Sequence, residues 1–252
     1  MILVRQKFLQ IGQVWFEAST DSQSALDAIE YIQSPVPIQG GSYPSEFHTL
    51  TLDLRQNEET IKKQIHKDTL YEIRRSNREN LQYVPIDHVS EAILKEFCDF
   101  YDEFASQKNR GKIGRALLSK YVTANSLHLS CVKDPSGRVL TWHAHLFANS
   151  RARLLQSASH FRGNDSSQRS LIGRANRFHH YEDLIYFKNK TFHTYDFGGW
   201  YAGNSDLDKL KINHFKEEFG GIRAIEYNAF RAVSLRGKFY FMLRNLKNWI
   251  QK

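Results

Sequence analysis

The chain has 252 residues, 41% hydrophobic and 13% aromatic, so it can bury a large core and is not intrinsically disordered. Two cysteines, Cys98 and Cys131, exclude a disulfide framework. Without a signal-peptide pattern or an apolar run of ~20 residues, we expect a cytoplasmic protein with no membrane span. The formal net charge of +8 favours an anionic partner such as tRNA, coenzyme A, a nucleotide-sugar phosphate or an acidic membrane.

The N-terminal part alternates strands with turns before a helix begins. Residues 1–54 are typical of strands and turns, and FHTLTLDL (47–54) has the clearest period-two pattern. Proline and glycine interrupt the segment 34–44, which predicts an irregular loop. Residues 57–80 are predicted to form one helix, with closely spaced opposite charges and a basic stripe.

The middle of the chain predicts helices followed by a meander of strands. A long amphipathic helix begins near residue 88, and a short helix follows at 116–123. Strands are then predicted at 126–132, 139–148 and 152–159, separated by turn residues at hairpin distance.

The C-terminal third alternates helices with strands. We expect a helix at 167–188, a strand at 192–197, a helix at 206–218, a strand at 223–229 and a last helix from 235. This order of elements fits one α/β sheet domain.

Three separated motifs resemble, in the same order, motifs of the Fem-type aminoacyl transferases, which have a GNAT-like acyltransferase fold. They are KDTLYEIRRSNREN (67–80), TYDFGGW (194–200) and HFKEEFGG (214–221), and IGRANRFHHYEDLIYFK (172–188) is a weaker match. The resemblance covers residues 47–228. It implies an α/β (α+β) GNAT-like fold, with a mixed, mostly antiparallel central sheet flanked by helices.

The resemblance also implies a domain organisation and a function. Known relatives have two GNAT-like domains, so we expect a partial N-terminal subdomain at 1–87 and the acyltransferase domain at 88–252. The implied reaction is transfer of an aminoacyl or acyl group to an amine on a bacterial cell-envelope precursor. The donor would be aminoacyl-tRNA or a coenzyme A thioester, the acceptor a nucleotide-linked or lipid-linked precursor, and no cofactor would be tightly bound.

Acyl transfer to an amine passes through a tetrahedral oxyanion, which needs a positive or hydrogen-bonding group. The resemblance assigns this role to Lys216, which lies between Phe215 and Phe219; an exposed lysine paired with a neighbouring glutamate is the alternative. Asp196 would orient the amine, pair with a cation or cap backbone amides at the strand end, and Tyr195 would supply a hydroxyl donor.

Further candidate residues are predicted to hold the substrate. Arg74, Arg75 and Arg78 follow a helical spacing, and guanidinium groups suit bidentate contact with phosphate, although a solvated helix face is the alternative. The other candidate substrate-binding residues are Tyr71, Arg115, Tyr121, Gly198, Gly199 and Phe215.

The histidines do not predict a metal site. His143 and His145 share one face of a strand, and His179 and His180 are helical neighbours, but no cysteine or carboxylate pair stands at ligand spacing. We therefore expect ordinary core histidines. A serine nucleophile is not expected either, because the chain has no G-x-S-x-G elbow.

Two other functions remain open. An acyl-CoA-dependent amino-sugar N-acyltransferase of surface-polysaccharide synthesis would need a pyrophosphate loop, and QRSLIGRA (168–175) matches that pattern only in part. A non-catalytic RNA-binding protein is favoured only by the positive charge and the aromatic residues.

The apolar stripe of the C-terminal helix has two interpretations. It would either dock on the protein or touch the inner face of an anionic membrane. Its residues are Phe239, Met242, Leu243, Leu246, Trp249 and Ile250.

Overall fold

A computed structural model describes residues 1–6, 8–19, 25–108, 111–160 and 165–250, without the side chains of 6 and 244–250. The strands in these ranges are β1 (Ile2–Gln6), β2 (Leu9–Trp15), β3 (Ala28–Ser34), β4 (Ser42–Asp53), β5 (Gln82–Ile86), β6 (Leu127–Lys133), β7 (Val139–Ala148), β8 (Arg151–Ser159), β9 (Thr194–Gly199) and β10 (Ile222–Ala232). The helices are α1 (Glu58–Gln64), α2 (Lys67–Arg78), α3 (Glu91–Gln107), α4 (Arg115–Thr123), α5 (Ser166–Asn189), α6 (Leu207–Glu217) and α7 (Leu235–Ile250).

The first of two compact units combines both ends of the chain, Met1–Thr49 and Ala224–Lys252. Strand β2 pairs antiparallel with β1 and parallel with β3, and β3 pairs antiparallel with β10. Apolar residues of β2, β3 and α7 form one of its cores: Leu9, Ile11, Ala28 and Phe241.

The second unit, Leu50–Arg223, contains the predicted meander. Strands β5, β6, β7 and β8 pair antiparallel in that order, and β9 joins β8 as a parallel neighbour. The expected mixed, mostly antiparallel sheet flanked by helices is confirmed. The predicted boundary after residue 87 lies inside this unit, and the origin of residues 1–87 as a partial GNAT-like subdomain stays a prediction.

The sheet of the second unit is covered by different helices on its two faces. Successive strand residues point to opposite faces, so neighbours on β7 meet different partners. Trp142 packs against Phe97 of α3, with ring centroids 5.8 Å apart, whereas His143 stacks on His179 of α5 at 3.6 Å. Helix α5 therefore covers the face that carries the polar side chains of β7.

Strands β8 and β9 pair over a short stretch and then separate. Their register joins Arg151–Arg153 to Thr194–Asp196. Gly198 follows with φ +73°, and a Cβ there would lie 2.8 Å from the carbonyl oxygen of Leu154. Only glycine combines this backbone conformation with so close an approach at low cost. A cleft opens beyond this point.

The helix predicted at 57–80 is two helices, α1 and α2. The break falls at Ile65 and His66, where the His66 N–H donates to the carbonyl oxygen of Glu218 over 2.7 Å. This tertiary hydrogen bond replaces a helical one. Strand β5 was not predicted, because its five residues include Pro85, which a strand tolerates at an edge.

The C-terminal helix buries a different residue from those predicted. Phe241 is 3% exposed, whereas Phe239, Met242 and Leu243 are 47–58% exposed, so docking on the protein is wrong for these three. The side chains of Leu246, Trp249 and Ile250 lie outside the described residues. Among the helices described, none has the length and apolarity to cross a bilayer, and contact of α7 with a membrane surface stays a prediction.

Candidate functional site

A cavity of about 400 Å³ lies where β8 and β9 separate, with α6 along one side. Its wall combines apolar side chains with glycine backbone and a few polar groups. These include Leu154, Ser157, His180, Gly199, Phe215 and Lys216. Of the residues predicted for the site, the cavity therefore brings together Lys216, Phe215, Gly198 and Gly199.

Lys216 is a half-buried cation in the wall of this cavity. It lies in the last turn of α6, and Phe219, one turn further, is fully buried and anchors this end of the helix. The Lys216 Nζ donates a hydrogen bond to the Gly199 carbonyl oxygen at 2.6 Å. Burial lowers the pKa of the Lys216 amine to about 8, with Asp196 opposing and Arg153 adding to this change. Perturbed ionisable groups in a cleft are candidates for catalysis.

Asp196 is fully buried and does not line the cavity. Its carboxylate accepts the Gly198 N–H at 2.7 Å and a hydrogen bond from Arg151 at 2.6 Å. Both the capping and the cation-pairing arrangements considered from the sequence are present. A role in orienting an amine stays a prediction.

Tyr195 is also fully buried, and its hydroxyl lies 2.9 Å from His145 Nε2. Burial raises the pKa of this phenol well above its usual range, so the hydroxyl keeps its proton. It contacts a buried histidine and does not line the cavity, and its predicted role as a donor to substrate is untested.

Of the three arginines of α2, only Arg75 lines a second, larger cleft. This cleft has a volume of about 920 Å³, and Arg75 is in its wall together with residues of α5. Arg75 also pairs with Glu79 at 3.0 Å, and the Arg78 guanidinium lies 6.0 Å from the exposed ring of Tyr71. Arg74 is exposed. Phosphate binding by this stripe stays a prediction.

Arg115 and Tyr121 both lie on α4 and line neither cavity. Arg115 pairs with Glu91 at 3.1 Å, and Tyr121 is 3% exposed in the core. Their predicted contact with substrate has no support from this position.

The segment compared with a pyrophosphate loop, 168–175, is helical. It lies within α5, which begins at Ser166 after the capping residue Asp165. Most of its backbone amides are therefore used inside the helix and cannot bind phosphate. The preceding residues 161–164 are outside the described ranges.

A buried hydrogen-bond network around Asp183 lies behind the cavity and was not predicted. Asp183 Oδ2 lies 2.6 Å from His143 Nδ1, and Oδ1 accepts from Ser130 at 2.8 Å and Tyr83 at 2.9 Å. Burial alone would raise the pKa of the Asp183 carboxyl, but the neighbouring histidines and the His143 hydrogen bond hold it well below its usual range. From the sequence, the shared strand face of His143 and His145 could be predicted. The strand register that places both residues opposite α5 could not.

The network fits hydrogen bonding better than metal binding. His143, His179 and Asp183 are the one group among the described residues whose possible ligand atoms lie within 4.8 Å of one another. However, the two histidine rings stack 3.6 Å apart at 4°, and nitrogen lone pairs lie in the ring plane, so they do not converge on one ion. His179 is bonded through both nitrogens, to Ser130 and Thr141. The absence of a metal remains a prediction.

His180 contacts the network on one side and lines the cavity, and its ring centroid lies 4.5 Å from that of His143. It is 2% exposed, and its Nδ1 has no hydrogen-bond partner in the described part of the chain. Burial lowers the pKa of its imidazole well below the usual range, so the ring is neutral. It offers a substrate an uncharged polar group.

Comparison with known protein structures identifies the fold of this chain. No protein-family model and no curated protein matches the sequence. The crystal structure of FemX superposes with a TM-score of 0.62 at 12% identity, covering 87% of this chain and 74% of FemX. This chain has a FemX-like fold. The structure of L-PGS from Bacillus licheniformis is also similar, with a TM-score of 0.51 at 11% identity over 86% of this chain and 72% of that one. The fold expected from the Fem-type motifs is confirmed.

Proposed function

We propose that this FemX-like protein is an N-acyltransferase that moves an aminoacyl or acyl group onto an amine of a bacterial cell-envelope precursor. The observation that carries the proposal is Lys216, a cation with a lowered pKa in the wall of the cavity between β8 and β9. The FemX-like fold also supports the proposal. In addition, Gly198, Gly199 and Phe215, which belong to the Fem-type motifs, line the same cavity as Lys216.

The reaction needs a fixed positive group next to the carbonyl oxygen of the acyl group. When the acceptor amine attacks the acyl carbonyl, negative charge develops on the carbonyl oxygen. The Lys216 ammonium is held by the Gly199 carbonyl, and the apolar side chains of Phe215 and Leu154 line the same cavity. A low local dielectric strengthens its attraction for the oxyanion. Lys216 would therefore stabilise the transition state more than the ground state.

The donor we favour is aminoacyl-tRNA. The Fem-type motifs support it, and the helical conformation of residues 168–175 argues against a coenzyme A pyrophosphate loop. The acceptor would be a nucleotide-linked or lipid-linked precursor that carries a free amine. Arg74, Arg75 and Arg78 are the candidates for contact with its phosphates or with those of the donor.

Transfer assays with two donor classes test the proposal. Purified protein is incubated with tRNA charged with labelled amino acids, or with a set of acyl-coenzyme A thioesters. Each donor is paired with nucleotide-linked and lipid-linked muropeptides, and with a nucleotide-linked amino sugar. Mass spectrometry then identifies the modified amine.

Variants of α6 connect any activity to the cavity. Lys216→Met should abolish transfer, whereas Lys209→Met, at an exposed lysine of the same helix, should not. Transfer only from coenzyme A thioesters to the amino sugar would replace this proposal by the polysaccharide alternative. Salt-sensitive RNA binding by folded protein, without turnover of either donor class, would favour the RNA-binding alternative.

A further inference from the structure

Ser157, His143 and Asp183 form a hydrogen-bonded chain that ends at the cavity. The register of β7 and β8 places His143 directly opposite Ser157, so both side chains point to the same face of the sheet. The Ser157 Oγ lies 3.0 Å from His143 Nε2, and His143 Nδ1 lies 2.6 Å from Asp183 Oδ2. His143 and Asp183 are fully buried, whereas Ser157 is in the cavity wall.

The hydrogen bonds around Asp183 orient the His143 ring. Asp183 is ionised, and its second oxygen already accepts from Ser130 and Tyr83. The oxygen that faces His143 therefore accepts from Nδ1–H, and in this tautomer Nε2 can accept the Ser157 hydroxyl proton. The Asn176 Oδ1 lies 3.3 Å from the same Nε2 and 3.5 Å from the Ser157 Oγ, so it is a competing acceptor for this hydroxyl.

We propose that Ser157 is a nucleophile that takes the acyl group from the donor before the amine receives it, with His143 as its general base and Asp183 as the positioning residue. The inference rests on the proposed acyl-transfer function and extends it to a two-step reaction through an acyl-serine. Ser157 lies in a strand rather than in a G-x-S-x-G elbow, which is why the sequence did not predict it. Such triads are defined by geometry and occur on unrelated folds.

Both half-reactions balance without any further reagent. In the first, the Ser157 Oγ bonds to the donor carbonyl carbon while its proton passes to His143 Nε2. The bond from that carbon to the donor oxygen or sulfur then breaks, and the leaving group takes the proton from His143. In the second, the acceptor amine bonds to the acyl carbon, the bond from that carbon to the Ser157 Oγ breaks, and a proton from the amine passes through His143 to the Oγ. Lys216, in the same cavity, would face the oxyanion of each step.

A fluorophosphonate probe tests for an activated serine without any acyl donor. The full chain is incubated with the probe, digested and sequenced by mass spectrometry. We expect labelling at Ser157 that is lost in Ser157→Ala and kept in Ser159→Ala. Ser159 is the matched control because it also faces the cavity from β8, whereas the bond to His143 belongs to Ser157. His143→Gln should slow labelling by about 100-fold to 10,000-fold.

A second measurement uses the donor alone. Without an amine, the wild-type protein should accumulate one acyl group on the peptide that contains Ser157, by intact-mass and peptide analysis. Thermal melts check that each variant is folded. If the wild-type chain yields neither a probe adduct nor an acyl adduct at Ser157, the nucleophile does not exist.

The two proposals fail in different ways. Wild-type rates of acyl transfer in Ser157→Ala would leave the transferase function intact and overturn the acyl-serine. Labelling of Ser157 in a protein that transfers no acyl group to any amine would support the nucleophile and overturn the proposed acceptor chemistry.

Discussion

Replacing Lys216 by methionine should reduce activity and increase stability at the same time. The change keeps most of the length of the side chain and removes the ammonium that would face the oxyanion, so we expect kcat to fall by about 100-fold to 1000-fold. The lowering of the Lys216 pKa from 10.5 to about 8 means that the folded state, compared with the unfolded state, has a relative preference for the neutral amine, while the ammonium still predominates at pH 7. This preference corresponds to about 3 kcal/mol for a fully buried group.

The expected gain in stability is smaller and depends on pH. Because the side chain is half-buried and screened by solvent, we expect Lys216→Met to increase the free energy of unfolding by about 1 kcal/mol at pH 7. The unfolded state binds more protons than the folded state between pH 8 and 10.5, so the wild type gains stability as the pH rises through this window. The advantage of the methionine variant should therefore shrink from pH 8 to 10.5.

Single-turnover transfer and denaturant unfolding at several pH values measure the two effects. A variant that is less stable than the wild type at pH 7 would show that the ammonium contributes to folding through the Gly199 carbonyl. A variant with unchanged kcat would show that Lys216 is not catalytic. Either result would refute the reasoning, and Lys209→Met provides the comparison for loss of a lysine from α6.

Three further predictions concern the pH dependence of kcat, the backbone at Gly198 and the charge of Arg75. The wild-type kcat should fall above about pH 8 as Lys216 loses its proton. Lys216→Arg should be slow but should not show this alkaline decrease. A rise in kcat above pH 8 would instead indicate that the neutral amine acts as a base. Gly198→Ala should destabilise the fold by about 1–3 kcal/mol, because its φ is +73° and the added Cβ would lie 2.8 Å from the Leu154 oxygen. Gly173→Ala is the control for Gly198→Ala in thermal melts, because nothing lies within 4 Å of the Cβ that it adds. Equal melting temperatures for the two variants would contradict the prediction. Arg75→Glu should raise KM and flatten its dependence on salt, and unchanged kinetics in a folded variant would show a solvated helix face.

Much of the fold could be predicted because the relevant signals are local. The strands predicted at 139–148 and 152–159 agree with β7 and β8 to within one residue, since alternation and turn residues mark both ends. The helix predicted at 167–188 agrees with α5 equally well. The break between α1 and α2 could not be predicted, because it depends on Glu218, which is distant in the sequence.

The candidate site was predictable only where it coincides with a motif. Lys216, Phe215 and the glycines at 198 and 199 were identified from the Fem-type segments, and they do meet at one cavity. The chain through Ser157 was missed because it depends on strand register, and a shift of one residue would turn His143 to the opposite face. Neither composition nor periodicity fixes that register.

The position of Ser157 also has a consequence for motion. Strand β8 pairs with β7 from Arg151 to Ser159, past Ser157, and β7 is itself paired on both sides and covered by α3 and α5. Strands held in this way open only in the rarest and largest fluctuations. By contrast, α6 buries only one residue, Asn213, within its own span. Slow amide exchange is therefore expected for the strand that holds the serine and faster exchange for the helix that holds Lys216. Substrates would enter and products leave by movement on the α6 side, with β8 as the fixed wall.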